Sequence, residues 1–146
     1  METQTKDVVV IGAGAAGLMC AIESAGRGRR TVVIERNAVI GEKIRISGGG
    51  RCNFTNRSVE ASHYLSRNGA FCRSALARFT PEDFIAIVER HRIRYHEKKL
   101  GQLFCDGSAR EIITMLRREC KERGVEFLLG TTVGKIAAAA RFLVES

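Results

Sequence analysis

The chain has 146 residues and a mass of 16.1 kDa, which predicts one domain or one and a fraction, long enough to bury about 68 % of its unfolded surface. Hydrophobic residues at 45 % and charged ones at 27 % exclude a disordered chain, and no apolar run approaches the ~18 residues of a membrane-spanning helix. A net charge of +8 invites a polyanion, but the basic residues are scattered and there is little aromatic surface for base stacking, so neither a nucleic-acid nor a membrane partner is expected.

In chain order, the first element is Asp7-Val8-Val9-Val10-Ile11, a β-branched run that predicts a fully buried strand. Gly12-Ala13-Gly14-Ala15-Ala16-Gly17 follows, then a helix over Leu18–Ala25 closed by a left-handed Gly26. Thr31–Glu35 predicts a second buried strand, and the two strands with their helix make a right-handed βαβ unit. From Asn37 to Asn56 the pattern predicts loop and short turns. Thr80-Pro81-Glu82-Asp83 starts a helix running to about His91, with Thr80 as its cap. Ser108-Ala109-Arg110-Glu111 fits a capping box for a helix with Ala109, Ile112, Ile113, Leu116 and Cys120 on one apolar face, ended by Gly124. Val125–Leu129 predicts a third buried, parallel strand, and Thr131–Ile136 and Arg141–Glu145 two more, the start of a small antiparallel meander. The fold class predicted is α/β, a Rossmann-like βαβ domain with a parallel sheet.

Two constellations carry chemistry. The first is Gly12-x-Gly14-x-x-Gly17 with Glu35 eighteen residues further on. Between a strand and a helix, Gly12 permits the tight turn, Gly14 lets a pyrophosphate approach the backbone, and Gly17 lets the helix pack close. The helix N-terminus offers free N–H groups to the phosphates, while Glu35 accepts from ribose hydroxyls and repels a 2′-phosphate. The second is Lys43-x-x-x-Ser47-Gly48-Gly49-Gly50-Arg51-Cys52-Asn53-x-Thr55-Asn56. Three glycines let backbone lie against a flat ring or phosphate, Lys43 and Arg51 bring positive charge, and Ser47, Asn53 and Thr55 bring neutral hydrogen bonds. Arg51 beside Cys52 could lower that thiol's pKa, but with no second cysteine within five residues Cys52 reads as a small packing residue rather than a catalytic thiol.

Together these strings resemble the BaiN-like, aminoacetone-oxidase-like flavoproteins, bacterial FAD-dependent NAD(P)-linked oxidoreductases with a glutathione-reductase-type FAD domain. Gly101-Gln102-Leu103-Phe104 is similar to the family's Gly-Arg-Val/Leu-Phe segment, with Gln102 where Arg is usual. The resemblance implies that Gly12, Gly14, Ala15, Ala16 and Gly17 line the pyrophosphate, that Glu35 binds the ribose and that Arg36 lies near the adenosine. It implies further that Lys43, Ser47, Gly49, Arg51, Cys52 and Asn53 approach the pyrophosphate and isoalloxazine, and that Val133 meets the adenine. The cofactor implied is FAD, reduced by NAD(P)H, and the acceptor a small organic molecule. The resemblance covers the front portion of such a protein, so residues 1–146 are expected to be a partial FAD domain without the substrate domain.

The remaining candidates point elsewhere. Five cysteines without a CxxC pair, and a charged N-terminus without an apolar leader, predict a cytoplasmic chain with reduced thiols. Cys20 and Cys120 fall on helix faces as core residues, and His63, His91 and His96 lack metal-ligand spacing, so no metal is expected. Two alternatives stay open: an NAD- or ADP-binding module without redox chemistry, which leaves the Ser47–Asn53 loop unexplained, and a truncated remnant without function.

Overall fold

Short β-branched runs become strands, and the residues between them decide where the chain turns. A computed structural model describes residues 4–138 and 142–145. The first half contains β1 (Val8–Ile11), α1 (Ala15–Gly26), β2 (Thr31–Glu35), α2 (Glu42–Ile46), β3 (Asn53–Asn56) and α3 (Arg73–Arg78). The second contains α4 (Pro81–Arg90), β4 (Tyr95–Glu97), β5 (Gln102–Cys105), α5 (Ala109–Glu122), β6 (Glu126–Leu129), β7 (Lys135–Ala138) and β8 (Phe142–Glu145). They fall into two compact units, Met1–Ile44 with Ile113–Ser146, and Arg45–Ile112.

The first unit holds a parallel sheet in the order β1-β2-β6 and an antiparallel β7-β8 pair. The central strand β2 is buried at all five residues, as predicted. Strand β1 is not: Val9 and Ile11 are 39 % and 52 % exposed, because β1 pairs on one side only among the described residues. Strand β6 is likewise half-exposed rather than buried, for the same reason. Helix α1 begins on the glycine turn and buries Leu18, Ala21 and Ile22. Its left-handed residue is Gly28 rather than Gly26, which remains helical. Met115, Leu116 and Cys120 of α5 are buried, and the Cys120 thiol lies 3.8 Å from the Leu18 carbonyl oxygen. Each such large side chain contributes about 1.5–3 kcal/mol. Cys20 is exposed, not core, because it lies on the outer face of α1. Thr131–Gly134 are irregular and the strand starts only at Lys135. Of the strand expected over Arg141–Glu145, Arg141 lies outside the described residues.

The second unit is an antiparallel sheet in the order β3-β5-β4, which replaces the loop expected up to Asn56. Period-2 patterning is weak in four-residue strands, so the pairing is set by long-range contacts. Strand β5 is central, with Leu103 and Cys105 fully buried. Helix α4 starts as the sequence predicts: the Thr80 hydroxyl accepts from the Asp83 N–H, and the Asp83 carboxylate accepts from the Thr80 N–H at 2.7 Å. Phe54 sits between Phe84 at 6.0 Å and Tyr95 at 5.5 Å, tying the sheet to that helix.

Candidate functional site

The turn between β1 and α1 is drawn tight by contacts that glycine alone permits. A Cβ on Gly17 would stand 1.9 Å from the Gly12 carbonyl oxygen, so the helix packs directly on the turn. Gly14 is the N-cap of α1 with no side-chain cap, and a Cβ there would meet nothing within 4 Å. Gly14, Ala15 and Ala16 are exposed, so the first N–H groups of a twelve-residue helix face open space.

Glu35 holds this turn from the end of β2. Its carboxylate accepts from the Ala13 N–H at 2.7 Å, from the Asn37 N–H at 2.9 Å and from the Asn37 side-chain amide at 2.8 Å. These donors, the Ala13 N–H first and the Asn37 N–H next, hold its pKa below the ordinary carboxylate value against the opposing effect of burial. Glu35 is therefore ionised at neutral pH. Two oxygens provide about four acceptor positions, of which three are filled, leaving one for a hydroxyl.

A cavity of about 260 Å³ opens at the C-terminal ends of the parallel strands, lined by Gly12, Glu35, Arg36, Thr131, Thr132 and Val133 with Ile11 and Ile34. The structure thus brings together Gly12, Glu35, Arg36 and Val133, four residues chosen from sequence. Thr131 and Thr132 were missed, although the rule that ligands bind outside the carboxyl ends of parallel strands points to the segment after β6. The Thr131 N–H donates to the Glu35 carbonyl at 2.9 Å, which draws that segment to the cavity. Lys43 is exposed on α2 and does not line it.

Ser47, Gly49, Arg51, Cys52 and Asn53 lie in the second unit. Gly48 and Gly49 adopt φ of +57° and +66° inside a 3-10 turn, and a Cβ on Gly48 would come 2.7 Å from the Phe104 ring. Arg51 is exposed. The Asn53 amide, in the orientation that satisfies it, donates to the carbonyls of Thr55 and Leu103 at 3.0 and 3.2 Å. Cys52 is a packing residue, as expected: it is buried, and burial pushes its thiol up despite a hydrogen bond with Ser47. Arg51, its neighbour in sequence, is exposed. Cys105 is pushed up to about 12, also by burial. Among the described residues, no cluster of three metal-ligating side chains occurs and no helix is long and apolar enough to cross a membrane.

Comparison with known proteins places this geometry. The chain is 53 % identical over 131 residues to the ribosomal RNA dihydrouridine synthase of Escherichia coli (strain K12), covering 90 % of this chain and 33 % of the relative. The protein of the same name from Haemophilus influenzae is 49 % identical over 134 residues, 92 % of this chain and 33 % of the relative. A 3-dehydro-bile acid delta(4,6)-reductase of Clostridium scindens is 29 % identical over 143 residues, 92 % and 34 % of the two chains. The chain thus spans about a third of the length of these curated relatives. Among solved structures, Thermovibrio ammonificans THI4 superposes with a TM-score of 0.58 at 19 % identity, over 95 % of this chain and 45 % of that one, a likeness of fold. Residues 6–146 match the HI0933-like protein Rossmann domain, and the chain belongs to that family.

Proposed function

We propose that this chain is the FAD-holding part of a flavin-dependent reductase whose acceptor is a uridine of ribosomal RNA. The observation that carries the cofactor reading is the cavity at the strand ends, closed on one side by an ionised Glu35 with one acceptor position left. At about 260 Å³ it is smaller than the ~300–1,000 Å³ of most small-molecule sites, the size for the adenosine end of a dinucleotide rather than for the whole. In this reading Glu35 takes a ribose hydroxyl, Arg36 and Val133 bound the adenine, and Gly14, Ala15, Ala16 and Gly17 leave the helix N–H groups open to the pyrophosphate. The resemblance further assigns Lys43, Ser47, Gly49, Arg51, Cys52 and Asn53 to FAD, and the exposed Lys43 and Arg51 and the open Gly49 backbone are free to contact a ligand.

Bound FAD supplies a hydride carrier between NAD(P)H and an acceptor. The acceptor class rests on the 53 % identity to a ribosomal RNA dihydrouridine synthase. Saturating the uracil C5=C6 bond consumes one NAD(P)H and one proton and yields NAD(P)⁺ and dihydrouracil. The name of the Clostridium scindens relative also describes a reduction, which supports reduction as the common reaction and agrees with the resemblance to BaiN-like flavoproteins. An RNA acceptor replaces the small molecule expected from sequence.

The test has two arms. Titration of the chain with FAD, NAD and ADP-ribose is expected to show FAD binding tightest; equal affinity for all three would reduce it to an ADP-recognising module. The full polypeptide that carries this chain, given NAD(P)H and ribosomal RNA, is expected to add two hydrogens to a uridine, read by mass spectrometry of the digested RNA.

A further inference from the structure

We propose that residues 61–79 form a docking surface for single-stranded RNA; this rests on the RNA-acceptor reading above and names the surface that would hold the strand. Between Ala61 and Phe79 the sequence has Arg67, Arg73 and Arg78 and no Asp or Glu. None of the three arginines has an ion-pair partner among the described residues. Some other exposed arginines do, Arg30 with Asp7, Arg57 with Glu97 and Arg118 with Glu122, while others such as Arg51 and Arg110 are also unpaired among the described residues. What sets these three apart is that they stand together in one stretch with exposed rings and no acid. Guanidinium groups are always charged, so this stretch is uniformly positive at any working pH.

The same stretch exposes large apolar side chains. Leu65 is 99 % exposed, Phe71 79 % and Tyr64 47 %, with Phe79 at 38 %. Exposed aromatics of this kind are costly in water unless something covers them. The segment nevertheless has a defined local course. The Cys72 sulfur lies 4.0 Å from the Ala61 carbonyl oxygen, the Asn68 side chain accepts from the Ala70 N–H at 3.2 Å, and Phe79 packs edge-on to Phe84 at 6.4 Å. Unpaired arginines interleaved with exposed rings are the chemistry of a strand whose phosphates and base faces are both available. A duplex fits less well, since its base faces are stacked and leave the rings without partners. An anionic membrane fits less well too, because the one α-helix in the stretch, α3, has six residues, too short for an amphipathic anchor. These arginines are already neighbours in the sequence; the fold adds that all three stand exposed beside exposed rings.

The test is fluorescence anisotropy of the chain with a labelled uridine-rich single-stranded RNA, the same strand in a duplex, and phosphatidylserine vesicles as competitor. Single strands are expected to bind best. R67E/R73E/R78E is expected to lower affinity at least tenfold and to flatten the slope of log K against log salt by about 2, at ~0.7 per lost phosphate contact. Y64A/F71A is expected to lower affinity about tenfold while leaving that slope unchanged, the sign of lost stacking. R27E/R117E, exposed in the first unit, is expected to bind as the parent does. Unchanged melting temperatures check that the variants fold, and R67Q/R73Q/R78Q should act in the same direction as the charge reversal. If the parent chain binds RNA and both segment variants bind equally well, this surface is wrong while the RNA-acceptor reading stands. If the parent chain binds FAD but no RNA at low salt, both fall. Preference for vesicles or for duplex over the single strand also overturns the proposal.

Discussion

Two glycine-rich turns, Gly12–Gly17 and Ser47–Gly50, look alike in sequence, yet the glycines answer different constraints. At Gly17 the constraint is space: helix α1 sits so close to the turn that the Gly12 carbonyl oxygen occupies the place of a Cβ. The Gly17 backbone is ordinary; the left-handed position in this turn is Gly12, with φ of +99°. At Gly49 the constraint is conformation: φ is +66°, while a Cβ would meet nothing within 4 Å. Gly48 combines the two, with φ of +57° and the Phe104 ring 2.7 Å from a would-be Cβ. The first turn is also anchored by a charged side chain, whereas the buried Cys52 beside the second is a packed, neutral thiol. Glycine content alone does not say which turn a neighbouring helix has locked.

Substitutions can break or sharpen that contrast. The largest effect is expected from Gly17→Ala, because a backbone oxygen cannot swing aside as a side chain can. A loss of about 3 kcal/mol in stability, measured by denaturant unfolding, and loss of FAD binding are expected, since overpacking against backbone outweighs the gain of up to ~1 kcal/mol in helix propensity. If Gly17→Ala melts like the parent, the close packing of α1 on the turn is wrong.

Next comes Glu35→Gln. The amide keeps one acceptor but turns an NH₂ toward N–H donors from Ala13 or Asn37, at a cost of about 2 kcal/mol for a charged acceptor removed from buried donors. The pH dependence follows with a definite sign. The folded pKa lies below the ordinary value of 4.5, so the unfolded chain binds this proton more readily and the carboxylate favours folding. That contribution is complete above the unfolded pKa and is lost as pH falls through the lower folded one. Melts of the parent from pH 7 downward should show the loss, and Glu35→Gln should flatten it.

The smallest effect separates space from conformation within the second turn. Gly49→Ala incurs only the left-handed penalty of roughly 1–2 kcal/mol. Gly48→Ala adds the contact with Phe104 and with the Asn53 backbone nitrogen, 2.8 Å away, so it should be worse by about 1 kcal/mol. Equal stabilities would mean that Phe104 shifts freely.

Much of the first unit was legible because its signals are local. The run from Val8 to Ile11, the glycine spacing and the acid at Glu35 lie within one βαβ stretch, and each implies the next. The Thr80 cap and the apolar face of α5 were legible for the same reason. The antiparallel sheet was not, because Asn53–Asn56 becomes a strand only by pairing with Gln102–Phe104, some fifty residues away. Thr131 and Thr132 reach the cavity because the Thr131 N–H bonds to the carbonyl of Glu35, a contact that no spacing encodes. For Cys52 the sequence offered both a thiol activated by Arg51 and a packing residue, and only burial, which no neighbour in sequence encodes, decides for packing.

By itself the sequence determined that a strand, a glycine turn, a helix and an acid-ended strand follow one another, because backbone sterics and hydrophobic period act over a few residues. Only the tertiary structure decided that Glu35 grips the Ala13 amide with one acceptor position to spare, that burial keeps the Cys52 thiol neutral, and that Arg67, Arg73 and Arg78, neighbours in sequence, are all exposed with Tyr64 and Phe71. Desolvation and exposure depend on everything packed around a residue, and long-range packing is what a linear pattern does not carry.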